Sequence, residues 1–286
     1  MTAKKSTACM AIVARKGGVG KSTLAVLLAR AYALSGAKVC VVDLDPQSTA
    51  TRVLAEPSAE QGDLLGRLLT EGQRLDEALV DSVFRNLCMV PSSEALSIHE
   101  THLAADPVGV PSVAQSVNSL LELGFDLVLV DTPASLGPLT FGALMAARWV
   151  VVPTACEDAS VQSLPNALRS ISRARALNQH LEPLAVVPNR LERRTRHGQA
   201  AVEALRSSFG SLLADTSVPK AAAIADAMRP GCPLDERSLG AAAIAQLAEE
   251  LLIRMRGRPS SHPGRADDCN DLDEVDAVSA LAGGRP

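Results

Sequence analysis

The residues best suited to bind a charged ligand lie in one short segment near the start of the chain. Positions 15–23 read Arg-Lys-Gly-Gly-Val-Gly-Lys-Ser-Thr, between an apolar run at 8–14 and a helical pattern at 24–34. Glycines let successive backbone N–H groups point inward, and the N-terminus of the following helix attracts anions. Lys21 can reach the β- and γ-phosphates of a nucleotide, and Ser22 can offer a hydroxyl to Mg²⁺. The segment predicts a triphosphate-binding loop; the alternative is a glycine-rich turn with incidental lysines.

The loop departs from the usual spacing. The common pattern is Gly, four residues, then Gly-Lys-Ser/Thr. Counting back five residues from Gly20 gives Arg15 instead of glycine, and an additional lysine, Lys16, lies inside the loop. Because Lys16 would crowd Lys21 at one phosphate group, we expect Lys16 to point elsewhere, for example toward a nucleotide held by a second subunit.

Two acidic motifs follow later apolar runs. They read Asp43-Leu-Asp45-Pro-Gln and Asp131-Thr-Pro. The carboxyl ends of parallel strands meet at one edge of a sheet, so both motifs are expected beside the loop. Asp131 is the predicted metal-side carboxylate, together with Ser22. Asp45 is predicted to orient the attacking water, close to the metal. Taken alone, each aspartate is as typical of a helix cap or a turn as of a metal or catalytic site.

Strand-like and helix-like segments alternate along the chain. Apolar, β-branched runs predict strands at 8–14, 38–43, 87–91, 125–131, 149–153 and 183–188, with a weaker one at 212–214. Apolar residues at three- and four-residue spacing predict helices at 24–35, 62–69, 112–123, 160–178, 198–208 and 238–255. Runs apolar on both faces indicate covered parallel strands. We predict one α/β domain over residues 1–257, a doubly wound, mostly parallel sheet with helices on both faces.

Composition limits the remaining classes. The net charge is −4, so any binding of nucleic acid needs a local basic patch, and 2% aromatic residues disfavour a base-stacking surface. Six cysteines without a Cys-x-x-Cys pair are typical of a reducing cytoplasm. No N-terminal targeting signal is visible, and no apolar run approaches the ~18 residues that span a bilayer. These features predict a cytoplasmic protein that does not span a membrane.

The composition changes after residue 257. Residues 258–286 contain six acids and three arginines among Gly, Pro and Ser. Segments of this kind bury too little apolar surface to fold alone. We therefore predict a flexible acidic tail at 258–286.

The motifs together resemble one family. Lys16-Gly-Gly-Val-Gly-Lys-Ser, Asp43-Leu-Asp-Pro-Gln and Asp131-Thr-Pro-Ala-Ser-Leu-Gly are similar to those of ParA-type partitioning ATPases. This deviant Walker class of P-loop NTPases also contains MinD and the nitrogenase iron protein. The similarity runs from about residue 8 to about residue 256. The chain departs from the family pattern at Arg15, often a polar amide, at Ala134, often a second proline, and at Gly142, often an asparagine.

The resemblance implies roles for individual residues. Lys16 would cross a nucleotide-sandwich dimer to the partner's phosphates, Asp45 would position water, and Asn189 would read adenine. The nucleotide-binding set is then Lys16, Gly17, Gly18, Val19, Gly20, Lys21, Ser22, Thr23 and Asn189. Thr23 contacts the α-phosphate in this interpretation. The catalytic set is Lys16, Lys21 and Asp45, and the metal-side set is Ser22, Asp45 and Asp131.

The resemblance also implies a cycle. The chain would bind ATP and Mg²⁺, form a homodimer, bind double-stranded DNA non-specifically on the nucleoid, and hydrolyse ATP slowly when a ParB-type partner stimulates it. Basic clusters that could contact DNA are Arg190, Arg193, Arg194 and Arg196; Arg254, Arg256 and Arg258; and Arg169, Arg173 and Arg175. Each cluster is equally typical of a solvated helix face.

Three other functions are compatible with parts of the pattern. A MinD-like membrane regulator would need a basic amphipathic C-terminal helix, whereas this tail is acidic. An iron-protein-like reductase would need cysteines after the Asp131 motif, and residues 132–155 contain none. The stronger alternative keeps the ATPase and changes the cargo, which would be a protein assembly, such as a chemotaxis array, held through an adaptor protein.

Overall fold

A computed structural model describes residues 7–56, 62–192 and 195–257. The acidic tail at 258–286 lies outside these residues, as do Arg193, Arg194 and Arg258 of the basic clusters. Within the described chain a single seven-stranded sheet has the order β3-β4-β2-β5-β1-β6-β7. The strands are β1 Ala8–Ile12, β2 Val39–Asp43, β3 Val80–Asp81, β4 Leu87–Val90, β5 Leu127–Asp131, β6 Trp149–Ala155 and β7 Glu182–Asn189.

Every pairing in the sheet is parallel except that of the two-residue edge strand β3 with β4. The helices are α1 Lys21–Leu34, α2 Thr49–Leu54, α3 Leu64–Glu71, α4 Leu96–Ala105, α5 Gly109–Ser119, α6 Pro138–Ala146, α7 Asp158–Arg175, α8 Arg196–Phe209, α9 Ala222–Asp226 and α10 Leu239–Gly257. The predicted fold class, a mostly parallel α/β sheet with helices on both faces, is confirmed.

Alternate side chains of each strand enter two separate cores. In β1, Cys9 and Ala11 face a core shared with α3 to α7, while Met10 and Ile12 face a core shared with α1, α2 and α10. Both faces of the central strands are therefore apolar, which explains the continuous apolar runs in the sequence.

Some predicted elements differ from the structure. The weak strand at 212–214 is reduced to an isolated bridge between Val186 and Leu213. Helices α2, α4, α6 and α9 were not predicted. Helices α2 and α9 are short, and α4 buries only Leu96 and Leu103. Helix α6 is apolar around most of its circumference, so its sequence lacks an amphipathic spacing. The edge strand β3 was also not predicted, because two residues are too few to show an alternating pattern of apolar and polar side chains.

Candidate functional site

The glycine-rich segment forms a loop between β1 and α1 at the carboxyl edge of the sheet. Gly18 and Gly20 have left-handed backbone angles, with φ of 77° and 93°, which favour glycine. A Cβ on Gly20 would lie 2.4 Å from the Asn189 Nδ2 atom, so the loop also lacks room for a side chain there. The helix α1 begins at Lys21 without a side-chain cap or an acid in its first turn. Its first amides are therefore available to an anion.

Lys21 is buried at the start of α1, with 6% of its surface exposed. Burial lowers the pKa of its ammonium group, and the charges of Asp131 and Asp45 oppose that change. A buried ammonium is stabilised by a nearby negative charge. The structure thus brings together Lys21 at the start of α1, Asp131 at the end of β5 and Asp45 just after β2.

Asp43 and Asp131 lie side by side at the ends of β2 and β5, paired in register and fully buried. Asp43 accepts hydrogen bonds from the backbone N–H groups of Asp45 and Thr51, at 3.0 and 2.8 Å, and from the Thr51 hydroxyl at 2.8 Å. Burial raises the pKa of Asp43 to about 6 in spite of these bonds. No role was predicted for Asp43 from the sequence. The feature that could have indicated one is its position two residues before Asp45, in an Asp-x-Asp motif.

Asp131 has a different environment. Both of its carboxylate oxygens are buried without a hydrogen-bond partner in the described part of the chain. Burial and the neighbouring Asp43 raise its pKa well above the usual range, while the nearby Ser22 hydroxyl and Lys21 ammonium oppose this change. A buried, unpaired carboxylate is costly unless it meets a cation. The oxygen donors of Asp131 and Ser22 suit Mg²⁺, so the residues present fit the predicted metal.

Asp45 is half-buried in the turn that follows β2. Its carboxylate accepts a 2.9 Å hydrogen bond from the Gln47 N–H, and its carbonyl oxygen accepts one of 2.8 Å from the Ser48 N–H. These bonds hold the turn with the Asp45 side chain outside the buried pair. The arrangement leaves Asp45 near Lys21 and less buried than Asp43, and its role toward water stays a prediction.

Lys16 lies at the mouth of the loop with a third of its side chain exposed. Its Nζ atom forms a 3.3 Å ion pair with the Oε2 atom of Glu157, the residue that precedes α7. Glu157 was not among the site residues predicted from the sequence. Lys16 is therefore paired at the surface of the site with a residue 141 positions away in the chain.

Asn189 ends β7 and is 3% exposed. Its Nδ2 atom donates a 2.8 Å hydrogen bond to the Val19 carbonyl oxygen, and its Oδ1 atom accepts one of 2.9 Å from the Arg190 N–H. The next residue, Arg190, donates from Nη1 to the Gly18 carbonyl oxygen at 2.6 Å. The end of β7 is thus joined to the loop, and the adenine contact of Asn189 stays a prediction.

The basic clusters are not equally available to a ligand. Arg254 forms a 2.9 Å ion pair with Glu250 and donates to the carbonyl oxygens of Ser211 and Leu213. Arg190 is bonded to the glycine loop. Arg169 and Arg173 are exposed on α7, and Arg196 is exposed at the start of α8. Two of the arginines that could contact DNA therefore also bond within the protein.

The described ranges hold no group of three or more His, Cys, Asp or Glu side chains suited to a metal ion. No helix among them is both long and apolar enough to cross a membrane. The candidate site is the loop before α1 with the acids at the ends of β2 and β5.

The parallel sheet, the glycine loop before α1 and the acids at the ends of β2 and β5 define a P-loop NTPase. A family model described as an AAA domain matches residues 7–183. The chromosome-partitioning ATPase Soj of Thermus thermophilus is 36% identical over 251 residues, covering 86% of this chain and 96% of its own length. The chain belongs to the family of ParA-type partitioning ATPases.

Other relatives agree with this membership. The chromosome partitioning protein ParA of Caulobacter vibrioides is 30% identical over 254 residues, covering 87% of this chain and 95% of its own. The solved structure of cobyrinic acid a,c-diamide synthase from Mycobacterium smegmatis, with bound ADP and magnesium, is 25% identical and has a TM-score of 0.75. That comparison covers 90% of this chain and all of the other. It extends the match in fold beyond the residues of the family model.

Proposed function

We propose that this chain is an ATP-driven dimerising switch that partitions plasmid or chromosomal DNA. The observation that carries the proposal is the buried Asp131 carboxylate without a hydrogen-bond partner, near the buried Lys21 ammonium. The described protein leaves these charges incompletely satisfied, and a magnesium-bound triphosphate would satisfy both. The names of the relatives, and the ADP and magnesium bound to the synthase, support the same ligand.

Each residue of the site has a part in the proposed reaction. The loop amides and Lys21 bind the β- and γ-phosphates, Thr23 binds the α-phosphate, and Asn189 contacts adenine. Ser22 and Asp131 would hold Mg²⁺, with Asp45 nearby; the ion, when bound, would neutralise charge on the phosphates. Asp45 orients water toward the γ-phosphate.

Lys16 completes the site of a second protomer in this proposal. When it leaves Glu157 and crosses to the partner's phosphates, ATP binding and dimerisation become one event. The dimer binds double-stranded DNA non-specifically and associates with the nucleoid. The exposed Arg169 and Arg173 supply phosphate contacts of the kind that weaken with salt. A ParB-type partner then stimulates hydrolysis and releases the dimer.

The test separates binding from turnover in the full chain. Wild-type protein should dimerise with ATP and Mg²⁺, measured by light scattering after gel filtration, and should release phosphate slowly. Asp45→Ala should keep ATP-dependent dimerisation and lose turnover, because only the water-orienting group is removed. Normal turnover in this variant would refute the role of Asp45. A wild-type chain that neither binds nor hydrolyses ATP would refute the function as a whole.

A second candidate cargo is a protein assembly held through an adaptor. The observation that favours it is that Arg190 and Arg254, two arginines predicted to contact DNA, are bonded to the protein itself. DNA binding measured with ATP and with ADP, across a salt series, distinguishes the two. ATP-dependent, salt-sensitive binding supports DNA partitioning, whereas its absence in a dimerising, hydrolysing protein supports the protein cargo.

A further inference from the structure

Two consecutive residues at the end of β7 bind two consecutive carbonyl groups of the glycine loop. Asn189 donates from Nδ2 to the Val19 oxygen at 2.8 Å, and Arg190 donates from Nη1 to the Gly18 oxygen at 2.6 Å. Neither contact follows from sequence spacing, since some 170 residues separate the partners. The two side chains hold the outer side of the loop.

The geometry of the peptide bond gives these contacts a consequence. In a trans peptide unit the carbonyl of one residue and the N–H of the next point in opposite directions. Fixing the Gly18 oxygen therefore turns the Val19 N–H away from Arg190, and fixing the Val19 oxygen turns the Gly20 N–H away from Asn189. Successive N–H groups turned to one side of a loop form an anion-binding concavity.

The position of Arg190 is itself fixed by the backbone. Its φ of 54° is unusual for a residue with a side chain, and its N–H is bonded to the Asn189 carboxamide at 2.9 Å. The following residue, Leu191, donates to the Val218 oxygen at 3.0 Å and accepts from the Lys220 N–H at 3.1 Å. The chain on both sides of Arg190 is anchored, so the side chain leaves β7 in one direction, over the loop.

On the loop, Gly18 leaves room for the guanidinium group of Arg190. Its φ of 77° disfavours any side chain, and a Cβ there would lie 4.0 Å from the Arg190 Nη1 atom. The guanidinium group therefore lies in van der Waals range of the glycine as well as bonding to its carbonyl. An ordinary solvated arginine on a basic patch has no such contact with a phosphate loop.

We propose that Arg190 is a positioning residue of the phosphate loop, which acts through the Gly18 carbonyl to direct the Val19 N–H toward a bound nucleotide. The proposal rests on the nucleotide site proposed above. Arg190 acts before the nucleotide arrives, because its bond to the loop is present in the chain alone. Its effect is therefore on binding of any nucleotide with a phosphate at this amide, including ADP.

The experiment compares Arg190→Ala, Arg190→Lys and the control Arg196→Ala in the full chain. Arg196 belongs to the same basic cluster and lies exposed on α8. A fluorescent ADP analogue with Mg²⁺ gives Kd, and hydrogen–deuterium exchange of a peptide spanning 17–20 reports the loop without nucleotide. ATP turnover measured across a range of ATP concentrations separates KM from kcat, and Trp149 fluorescence checks folding.

Arg190→Ala should raise the Kd for ADP about tenfold, the effect of losing one charge-assisted hydrogen bond. Its loop amides should exchange faster without nucleotide, and kcat should change less than about twofold because the loss is in binding. Arg190→Lys should recover most of the affinity, since an ammonium can also donate to the Gly18 oxygen. Arg196→Ala should match wild type in Kd and exchange.

The proposal requires both the change in Kd and the change in exchange, and the absence of either overturns it. Loss of DNA binding with unchanged ADP affinity would also overturn it, because Arg190 would then act as a DNA contact and not as a positioning residue of the loop. If Arg190→Ala does not fold, Arg190→Met, which keeps the length of the side chain and removes its donors, replaces it under the same two requirements. Failure of wild-type protein to bind ADP would refute the nucleotide site, whereas the exchange measurement would still test the contact with the loop.

Discussion

At the scale of single residues, the two buried carboxyl groups determine how the site responds to pH. Burial raises the pKa of Asp43 to about 6, and burial with the charge of Asp43 raises that of Asp131 well above its usual value. A group of this kind keeps its proton in the folded state at a pH where the unfolded chain has released it. Folding stability from these groups is therefore greatest at acid pH and falls as pH rises through the folded pKa values.

The first prediction concerns Asp131→Asn without nucleotide. The variant removes the buried charge, so it should be more stable than wild type at pH 8, by about 1–3 kcal/mol. The difference should shrink as pH falls, because the wild-type carboxyl takes up its proton in the folded state before the unfolded chain does. Urea unfolding followed by Trp149 fluorescence measures this, and Trp149 is the single tryptophan in the sequence.

The control for this variant is Glu203→Gln, which removes an exposed carboxylate from α8. Its stability should stay within about 0.5 kcal/mol of wild type at both pH values. Addition of ADP and Mg²⁺ should raise the Tm of wild type and not that of Asp131→Asn. A variant less stable than wild type at pH 8 would show that Asp131 does not carry an uncompensated charge.

The second prediction concerns Lys16, which the structure pairs with Glu157. Lys16→Ala should keep binding of ADP, because Lys21 and the loop amides remain. It should lose ATP hydrolysis and dimer-dependent DNA binding, because the proposed contact with the partner's phosphates is gone. Survival of both activities, measured by phosphate release and by DNA binding with ATP, would refute a crossed lysine in this protein.

At the scale of elements, close packing of α5 on α6 explains a departure from the family pattern. Gly142 of α6 lies where a Cβ would be 2.4 Å from the Val113 Cβ and Cγ1 atoms and 3.2 Å from the Val110 oxygen. The helices approach too closely there for the asparagine that is common in the family. The segment between β5 and α6 is also anchored, since Thr132 donates to the Ile12 oxygen at 2.8 Å and Ser135 to Glu100 at 3.0 Å.

The third prediction is that Gly142→Asn destabilises the fold by about 1–3 kcal/mol or more, because it overpacks the contact between α5 and α6 and buries an amide there. The matched control is Gly257→Asn at the end of α10, where an added Cβ meets nothing within 4 Å. Urea unfolding with Trp149 as the probe measures both variants. Equal stability of the two would show that α5 can shift away from α6 without cost.

At the scale of the whole molecule, charge is distributed unevenly between the described domain and the segment after it. The chain carries a net charge of −4, and residues 258–286 hold six acids against three arginines. Exposed arginines such as Arg169 and Arg173 lie on the described domain. An acidic tail can compete with DNA phosphates for such cations over distances shorter than the Debye length, about 10 Å at 0.1 M salt.

The fourth prediction is that deletion of residues 258–286 tightens ATP-dependent DNA binding at low salt. The gain should disappear as salt rises, because both competing interactions are screened. Fluorescence anisotropy with labelled duplex DNA measures the affinity across a salt series. As a control, the ADP affinity of the deleted chain should equal that of wild type. Unchanged DNA affinity at low salt would contradict competition by the tail.

The sequence by itself determined the class of fold and most of the candidate site. Apolar runs such as 39–42 and 127–130 can only be satisfied by burial on both faces, and this requires a parallel sheet covered by helices. The loop before α1 and the acids at 43, 45 and 131 carry their chemistry in residue type and local spacing. Short elements such as α2 and β3 escaped prediction because tertiary contacts, and not local periodicity, stabilise them.

Only the tertiary structure decided which distant groups meet. It placed Asp43 and Asp131 in register inside the protein, paired Lys16 with Glu157, and joined Arg190 to Gly18. It also showed that Arg254 bonds to carbonyl oxygens and Glu250 and does not extend freely from its helix. Apart from the i,i+4 pair of Arg254 with Glu250, these contacts join residues from 41 to 172 positions apart in the chain, and the direction of each side chain depends on packing that no local pattern encodes.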